Sequence, residues 1–239
     1  MNHSEAALYL IPVMLGETEY EKVLPEYNRK IVSSIRYFIV ESRRSAVRFL
    51  KAANIESDID SLVFFELNEH TDLSGIESYL EPLLNGHSMG IISDAGCPAV
   101  ADPGAAVVEL AQKKGLKVVP LAGPSSIIMA VMASGLNGQS FAFHGYLPAK
   151  PGARESKIRS LENRAWNESQ TQLFIEAPYR NLKLLSSIIA SCRSETRVCV
   201  AAGLTTEQEF IRTLSVAEWK KSPEPPIHKI PAIFLLYRG

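Results

Sequence analysis

The sequence predicts an α/β protein of two domains, residues 1–121 with a mostly parallel sheet and residues 122–239 with a mixed one. Three observations carry this expectation. Before Leu121, short apolar runs of strand length alternate with helical patterns about five times, the pattern of parallel strands joined by crossover helices. Beyond Leu121 the chain holds more strand per residue, which favours a mixed sheet and sets the domain boundary there. Finally, 239 residues, 46% hydrophobic and 21% charged, suffice to bury a sizeable core.

Each element has a local reason. Ala7–Ile11 is apolar on both faces, as a central strand must be, and stops at Pro12. A loop through Gly16 leads into a helix near Tyr20 to Lys30. Tyr37–Val40 forms the second strand, and a helix follows from Glu41-Ser42-Arg43-Arg44 to about Ala53. Leu62–Glu66 is the third strand. Gly75–Leu84 carries Ile76, Tyr79, Leu80 and Leu83 on one helical stripe, closed by Gly86. Met89–Ile92 is a buried strand, and Ala105–Lys114 a helix ended by Gly115. Val118–Leu121 is a strand and Ile127–Ala133 an apolar helix. In the second half, strands are expected at Phe141–Gly145, Leu173–Glu176, Arg197–Ala201, Phe210-Ile211 and Ala232–Tyr237. Helices are expected within Lys150–Arg164 and up to Ala190.

Composition excludes several classes. The net charge of −1 gives no overall basic field. Cys97, Cys192 and Cys199 are odd in number and lack metal-like spacing, so they read as reduced thiols. No apolar run approaches ~18 residues, so no membrane span is expected. The start, MNHSEAALYLIP, lacks the pattern of a secretory signal, and a cytoplasmic protein is expected.

Chemistry concentrates at strand ends. Pro12 to Gly16, Ser93 to Pro98 and Gly123 to Ser126 all follow strands and combine proline with small residues, and Ala177-Pro178 does so in the second half. Such backbone-lined loops suit a small-molecule pocket in a cleft between the domains. Neither GxxxxGK[ST] nor an opening GxGxxG is present, which argues against conventional nucleotide sites. Ser125 and Ser126 lack the GxSxG elbow, and Cys97 has no local activating partner. His3, His70, His87, His144 and His228 show no metal spacing, so no metal is expected. His144, before Gly145, is either a structural or a catalytic histidine. Asp94 and Asp102 suit ligand contacts or caps of the turn and helix beside them.

Four segments taken together go further: ISDAGCPAVADPG (Ile92 to Gly104), VVPLAGPSSIIMAVMASGL (Val118 to Leu136), FHGYLPAK (Phe143 to Lys150) and FIEAPYR (Phe174 to Arg180). In order and spacing they resemble the tetrapyrrole methylase-like family of S-adenosylmethionine-dependent methyltransferases. Within it they most resemble the branch acting on cytidine 2′-hydroxyls of small-subunit ribosomal RNA. The resemblance implies two α/β domains, S-adenosylmethionine in the cleft between them, and a homodimer. By position, Ser93, Asp94, Ala95, Gly96 and Pro98 match the loop that holds the methionine end of the cofactor. Pro12 matches the first-strand loop, Gly123 to Ser126 the interdomain turn, and Ala177-Pro178 the wall near the adenosine.

The chain also departs from the branch. Gly16-Glu17-Thr18 stands for glycine-asparagine-leucine, and Glu41-Ser42-Arg43-Arg44 for glutamate-aspartate-threonine-arginine. Ala202-Gly203-Leu204-Thr205 stands for arginine-glutamate-leucine-threonine. Ribosomal members often extend into a helical tail, where this sequence ends at Tyr237-Arg238-Gly239. A ribose hydroxyl must lose a proton on methylation, and Asp94, Asp102, His144 and Glu176 are the candidate bases. Lys150, Arg154, Lys157 and Arg159 either meet RNA phosphates or form a solvated basic face. The alternatives are a methyltransferase for a small molecule such as a tetrapyrrole, and an inactive cofactor-binding relative.

Overall fold

A computed structural model describes residues 6–68, 71 and 73–239. They form two compact units, Met1–Ser125 and Ser126–Gly239.

The first unit is a five-stranded, wholly parallel sheet of β1 (Ala7–Ile11), β2 (Tyr37–Val40), β3 (Val63–Glu66), β4 (Met89–Ile92) and β5 (Lys117–Pro120), in the order β3-β2-β4-β1-β5. Leaving β1 and β2, the chain crosses toward the β3 edge through α1 (Tyr20–Val23), α2 (Glu26–Ser34) and α3 (Arg43–Ala52). Leaving β3 and β4 it crosses the other way, through α4 (Glu81–Leu84) and α5 (Gly104–Lys113). Right-handed crossovers in opposite directions put their helices on opposite faces. The cores follow. Tyr20, Leu24, Val32, Ala46, Phe49 and Leu50 pack on Ile11, Phe38, Val40 and Ile92. Leu80, Leu83, Val107 and Ala111 pack on Leu8, Ile39, Met89 and Ile91. Gly90, in central β4, leaves room that Ile11 fills, since a Cβ there would stand 2.5 Å from Ile11 Cδ1.

Two helices differ from expectation because of proline. The residue before a proline is pushed to extended backbone, so Leu24, ahead of Pro25, splits the expected Tyr20–Lys30 helix into α1 and α2. Pro82 has no N–H to continue an α-ladder, and the expected Gly75–Leu84 helix is a 3-10 segment, Leu73–Leu80, followed by α4.

The second unit is a mixed sheet of β6 (Phe141–Tyr146), β7 (Thr171–Ile175), β8 (Arg197–Ala202), β9 (Phe210–Ser215) and β10 (Ala232–Tyr237), in the order β6-β7-β10-β8-β9. Only β6 and β7 pair in parallel; the other pairs are antiparallel. The connection between the parallel pair is α7 (Pro151–Glu168), which packs with α8 (Asn181–Ser191) and α9 (Val216–Trp219) over one face. Phe174 and Phe234 stack beneath them with centroids 6.2 Å apart. On the other face lies α6 (Ser126–Ser134), tied down where Thr213 Oγ1 donates to Ser134 O at 2.7 Å.

Candidate functional site

In the first unit β1 and β4 lie side by side, and the connections that leave them go to opposite faces of the sheet. That is the topological switch point, where open α/β sheets leave a crevice beyond the carboxyl ends of their strands. Three predicted loops meet there. Val13 N donates to Gly96 O at 2.9 Å, joining the β1 and β4 loops. Cys97 Sγ donates to Pro124 O at 3.4 Å, and a Cβ on Gly123 would stand 2.3 Å from Pro12 Cγ. Asn28 Nδ2 of α2 holds Ala122 O at 2.8 Å. Pro12, Ser93, Asp94, Ala95, Gly96, Pro98, Gly123 and Ser125 are thus gathered at one end of one sheet. Within the loop Ser93 is buried, its hydroxyl donating to Ala95 O at 3.2 Å, while Asp94 and Ala95 face solvent.

The β4 loop is under strain. Besides Gly96 at φ +70, two alanines are left-handed, Ala99 at φ 63 and Ala101 at φ 58. A side chain in that region costs about 1–2 kcal/mol and persists only where surrounding bonds enforce it. Asp102 enforces it, Oδ1 accepting from Ala99 N at 2.9 Å and Gly104 N at 2.7 Å. Gly104 must lack a Cβ, which would stand 2.8 Å from that oxygen. Asp102 is thus tied to its own loop, while α5 has Pro103 as its N-cap and no side-chain cap.

Glu41 was not among the predicted site residues, yet it belongs here. It follows β2, the other neighbour of β4, and its Oε2 accepts from Asp94 N at 2.8 Å. Glu41 and Asp102 line a small depression with Ile39, Ile91 and Gly104, holding about 10 Å³, roughly one water. Burial lifts the Glu41 carboxyl above its usual range despite the Asp94 N–H, and the Asp102 and Asp94 charges add to the rise. Burial likewise lifts Asp102, against its two backbone bonds. An acid directly after an apolar strand was the available signal for Glu41.

In the second unit, Glu176 ends β7 fully enclosed. Its Oε1 accepts from Ala177 N at 2.7 Å and from Arg180 Nε at 2.9 Å and Nη2 at 2.6 Å, while buried Oε2 has no hydrogen-bond partner among the described residues. Ala177 and Pro178 follow, half-buried. His144 Nε2 bonds Gln172 Oε1 at 2.7 Å. Gln172 spends its own N–H groups on Gln170, so the histidine is the donor. Burial lowers the His144 pKa against the opposing Gln172 hydrogen bond, with the Lys157 and Arg164 charges acting in the same direction as burial. Lys150, Lys157 and Arg159 are exposed. Arg154 corrects the expectation of a basic face. It is only 1% exposed, Nε donating to Ser187 Oγ at 3.1 Å and Nη1 to Ala149 O at 3.5 Å. On an 18-residue helix that packs against α8, its position falls on the inner face, out of reach of a phosphate.

Ser42 N-caps α3, accepting from Ser45 N at 3.4 Å. Gly203 is left-handed at φ +59, and a Cβ there would stand 2.7 Å from Gln208 O, too close to fit. Among the described residues, which omit His3 and His70, no His/Cys/Asp/Glu cluster could hold a metal. Cys97, Cys192 and Cys199 are free thiols. No described helix is long and apolar enough to cross a membrane.

The sequence profile of the Tetrapyrrole (Corrin/Porphyrin) Methylases matches residues 28–219. Ribosomal RNA small subunit methyltransferase I of Vibrio cholerae is 32% identical over 211 residues, 88% of this chain and 69% of that protein. The protein of that name from Pseudomonas aeruginosa is 30% identical over 215 residues, 90% of this chain and 72% of its own. Among solved structures, the methyltransferase CobJ superposes with a TM-score of 0.64 at 13% identity, covering 99% of this chain and 95% of its own. The cobalt precorrin-4 methyltransferase CbiF gives 0.62 at 13% identity, covering 97% and 94%. At this identity the likeness is one of fold.

Proposed function

Because the chain belongs to the tetrapyrrole (corrin/porphyrin) methylase family, we propose that it is an S-adenosylmethionine-dependent methyltransferase acting on a ribose 2′-hydroxyl of small-subunit ribosomal RNA. The observation that carries the acceptor is the similarity, over 88% of the chain, to a protein named for small-subunit ribosomal RNA methylation. The switch-point loops support the cofactor.

The residues present fit that cofactor. A zwitterionic amino-acid end needs a carboxylate for its ammonium and N–H groups for its carboxylate, in a loop without bulky side chains. Exposed Asp94 beside Ala95 and Gly96 supplies such a donor set, with Pro12, Pro98, Gly123, Ser125 and Ser126 at the neighbouring turns. Ala177 and Pro178, apolar and half-buried, are assigned to the adenosine. The bound cofactor supplies a methyl group on a positively charged sulfur. The protein's own task is to orient the acceptor in line with it and to accept the hydroxyl proton. Of the four candidate bases, Asp102 is committed to two backbone N–H groups, Glu176 to one backbone N–H and the Arg180 guanidinium, and His144 engages Gln172. Asp94 is the exposed carboxylate of the set.

The test is label transfer from methyl-labelled S-adenosylmethionine to undermethylated small ribosomal subunits, with calorimetry of cofactor binding beside it. Label in a ribose of the RNA is expected. Label only in a tetrapyrrole would replace the RNA acceptor by the small-molecule one that the family description favours. Binding without transfer would make the chain an inactive relative, and no binding would refute the assignment. A cytoplasmic homodimer completes the proposal, checked by light scattering.

A further inference from the structure

The second unit carries an aromatic and cationic surface made of residues not assigned above to the methyl donor. Tyr146, at the end of β6, and Tyr179, just past β7, are 65% and 61% exposed. Lone exposed aromatics are ordinary, but these two stand together. The strands are parallel neighbours, Tyr146 pairs with Ile175, and Tyr179, four positions further on, lies against Arg180. The Arg180 guanidinium lies over the Tyr179 ring, 5.2 Å from its centroid, and its Nη1 donates to the phenol at 3.1 Å.

Arg180 is fixed from below. Its Nε and Nη2 grip Oε1 of enclosed Glu176, so the plane of the guanidinium is set before any ligand arrives. With Arg180 over its ring, Tyr179 still keeps most of its surface exposed, as does Tyr146. Exposed Lys150, only four positions past Tyr146, and Lys157 and Arg159 on α7 add positive charge in the same unit.

We propose that Tyr146, Tyr179 and Arg180 form a preorganised stacking platform for an unpaired nucleobase of the RNA substrate, with Lys150, Lys157 and Arg159 meeting its phosphates. This rests on the RNA reading above. Sequence-specific RNA recognition works mainly on splayed bases stacked on aromatic rings or guanidinium planes. Rings this exposed suit a base at the end of a large, solvated strand. The cofactor's adenine would be better served by an enclosed, apolar wall.

The experiment measures the KM for undermethylated small ribosomal subunits and the Kd for S-adenosylmethionine in Tyr146→Ala, Tyr179→Ala and their Tyr→Phe counterparts. Each alanine variant is expected to raise KM roughly tenfold, as loss of one stacking partner does. The phenylalanine variants keep the π-face and should stay within about twofold of wild type, and cofactor affinity should not move in any of them. An unchanged KM in both alanine variants would overturn the platform while leaving the RNA reading intact. A weaker cofactor Kd without a change in KM would assign the tyrosines to the adenosine wall instead. Wild-type protein inactive on the subunits would overturn the RNA reading, and the platform with it.

Discussion

At the scale of single residues, the first unit depends on contacts with no slack. Gly123 presses against the Pro12 ring at a distance where no Cβ fits, and Pro12 caps the strand that anchors the sheet. Gly123→Ala should cost about 1–3 kcal/mol by overpacking and weaken S-adenosylmethionine binding, read by chemical denaturation and calorimetry. The acids give a pH signature. Burial raises the folded-state pKa of Glu41 and Asp102, so the native chain holds more protons than the unfolded one just above pH ~4. Their contribution to stability is therefore full below the ordinary carboxylate pKa and is lost as pH climbs through the raised values. Asp102→Asn keeps an oxygen for Ala99 N and Gly104 N but cannot ionise. The variant should stay within about 1 kcal/mol of wild type at pH 7, and its stability should decline less between pH 4 and 7. An equally steep decline would place the pH dependence elsewhere. Glu41 shows why residue roles were the least legible part of the sequence. Its importance comes from a bond to Asp94, 53 positions away, which only the strand order creates. Arg154 failed for the same reason: charge is visible in a sequence, but the helix face that carries it depends on packing against α8.

At the scale of elements, legibility followed periodicity. β1, β2, β4 and β10 have the expected bounds because a continuous apolar run between breakers leaves few alternatives. Helices were less legible where proline intervened, at Pro25 and Pro82. The four-residue α9 has no hydrophobic period to detect, and its one trace is the capping box: Ser215 Oγ accepts from Glu218 N while Glu218 Oε2 accepts from Ser215 N. That cap aims Trp219 into the core, where Nε1 donates to Val198 O at 3.0 Å. Ser215→Ala should cost about 1 kcal/mol, seen as a lower denaturation midpoint with an unchanged slope; no shift would mean that core packing alone holds α9. Ser42 is milder, since its bond to Ser45 N is long at 3.4 Å. Ser42→Asp, restoring the residue usual in the branch, should stabilise α3 by a few tenths of a kcal/mol through the helix dipole.

At the scale of the whole molecule, each sheet has at or beside its centre a strand drawn from one end of the sequence. In the first unit β1 sits between β4 and β5, and in the second β10 sits between β7 and β8. This has a consequence for synthesis. A chain emerging from the ribosome delivers β1 ahead of the other strands of its sheet, and that sheet closes once β5 follows, before any strand of the second unit has emerged. The second sheet cannot close until residue 237 is free, because β7 and β8 have no partner for their inner edges without β10. Open edges of that kind invite pairing with other chains. Stalled nascent chains carrying residues 1–231 outside the tunnel should accordingly resist protease across the first unit and be cut throughout the second. Protection of the second unit should appear only after Ala232–Tyr237 has emerged.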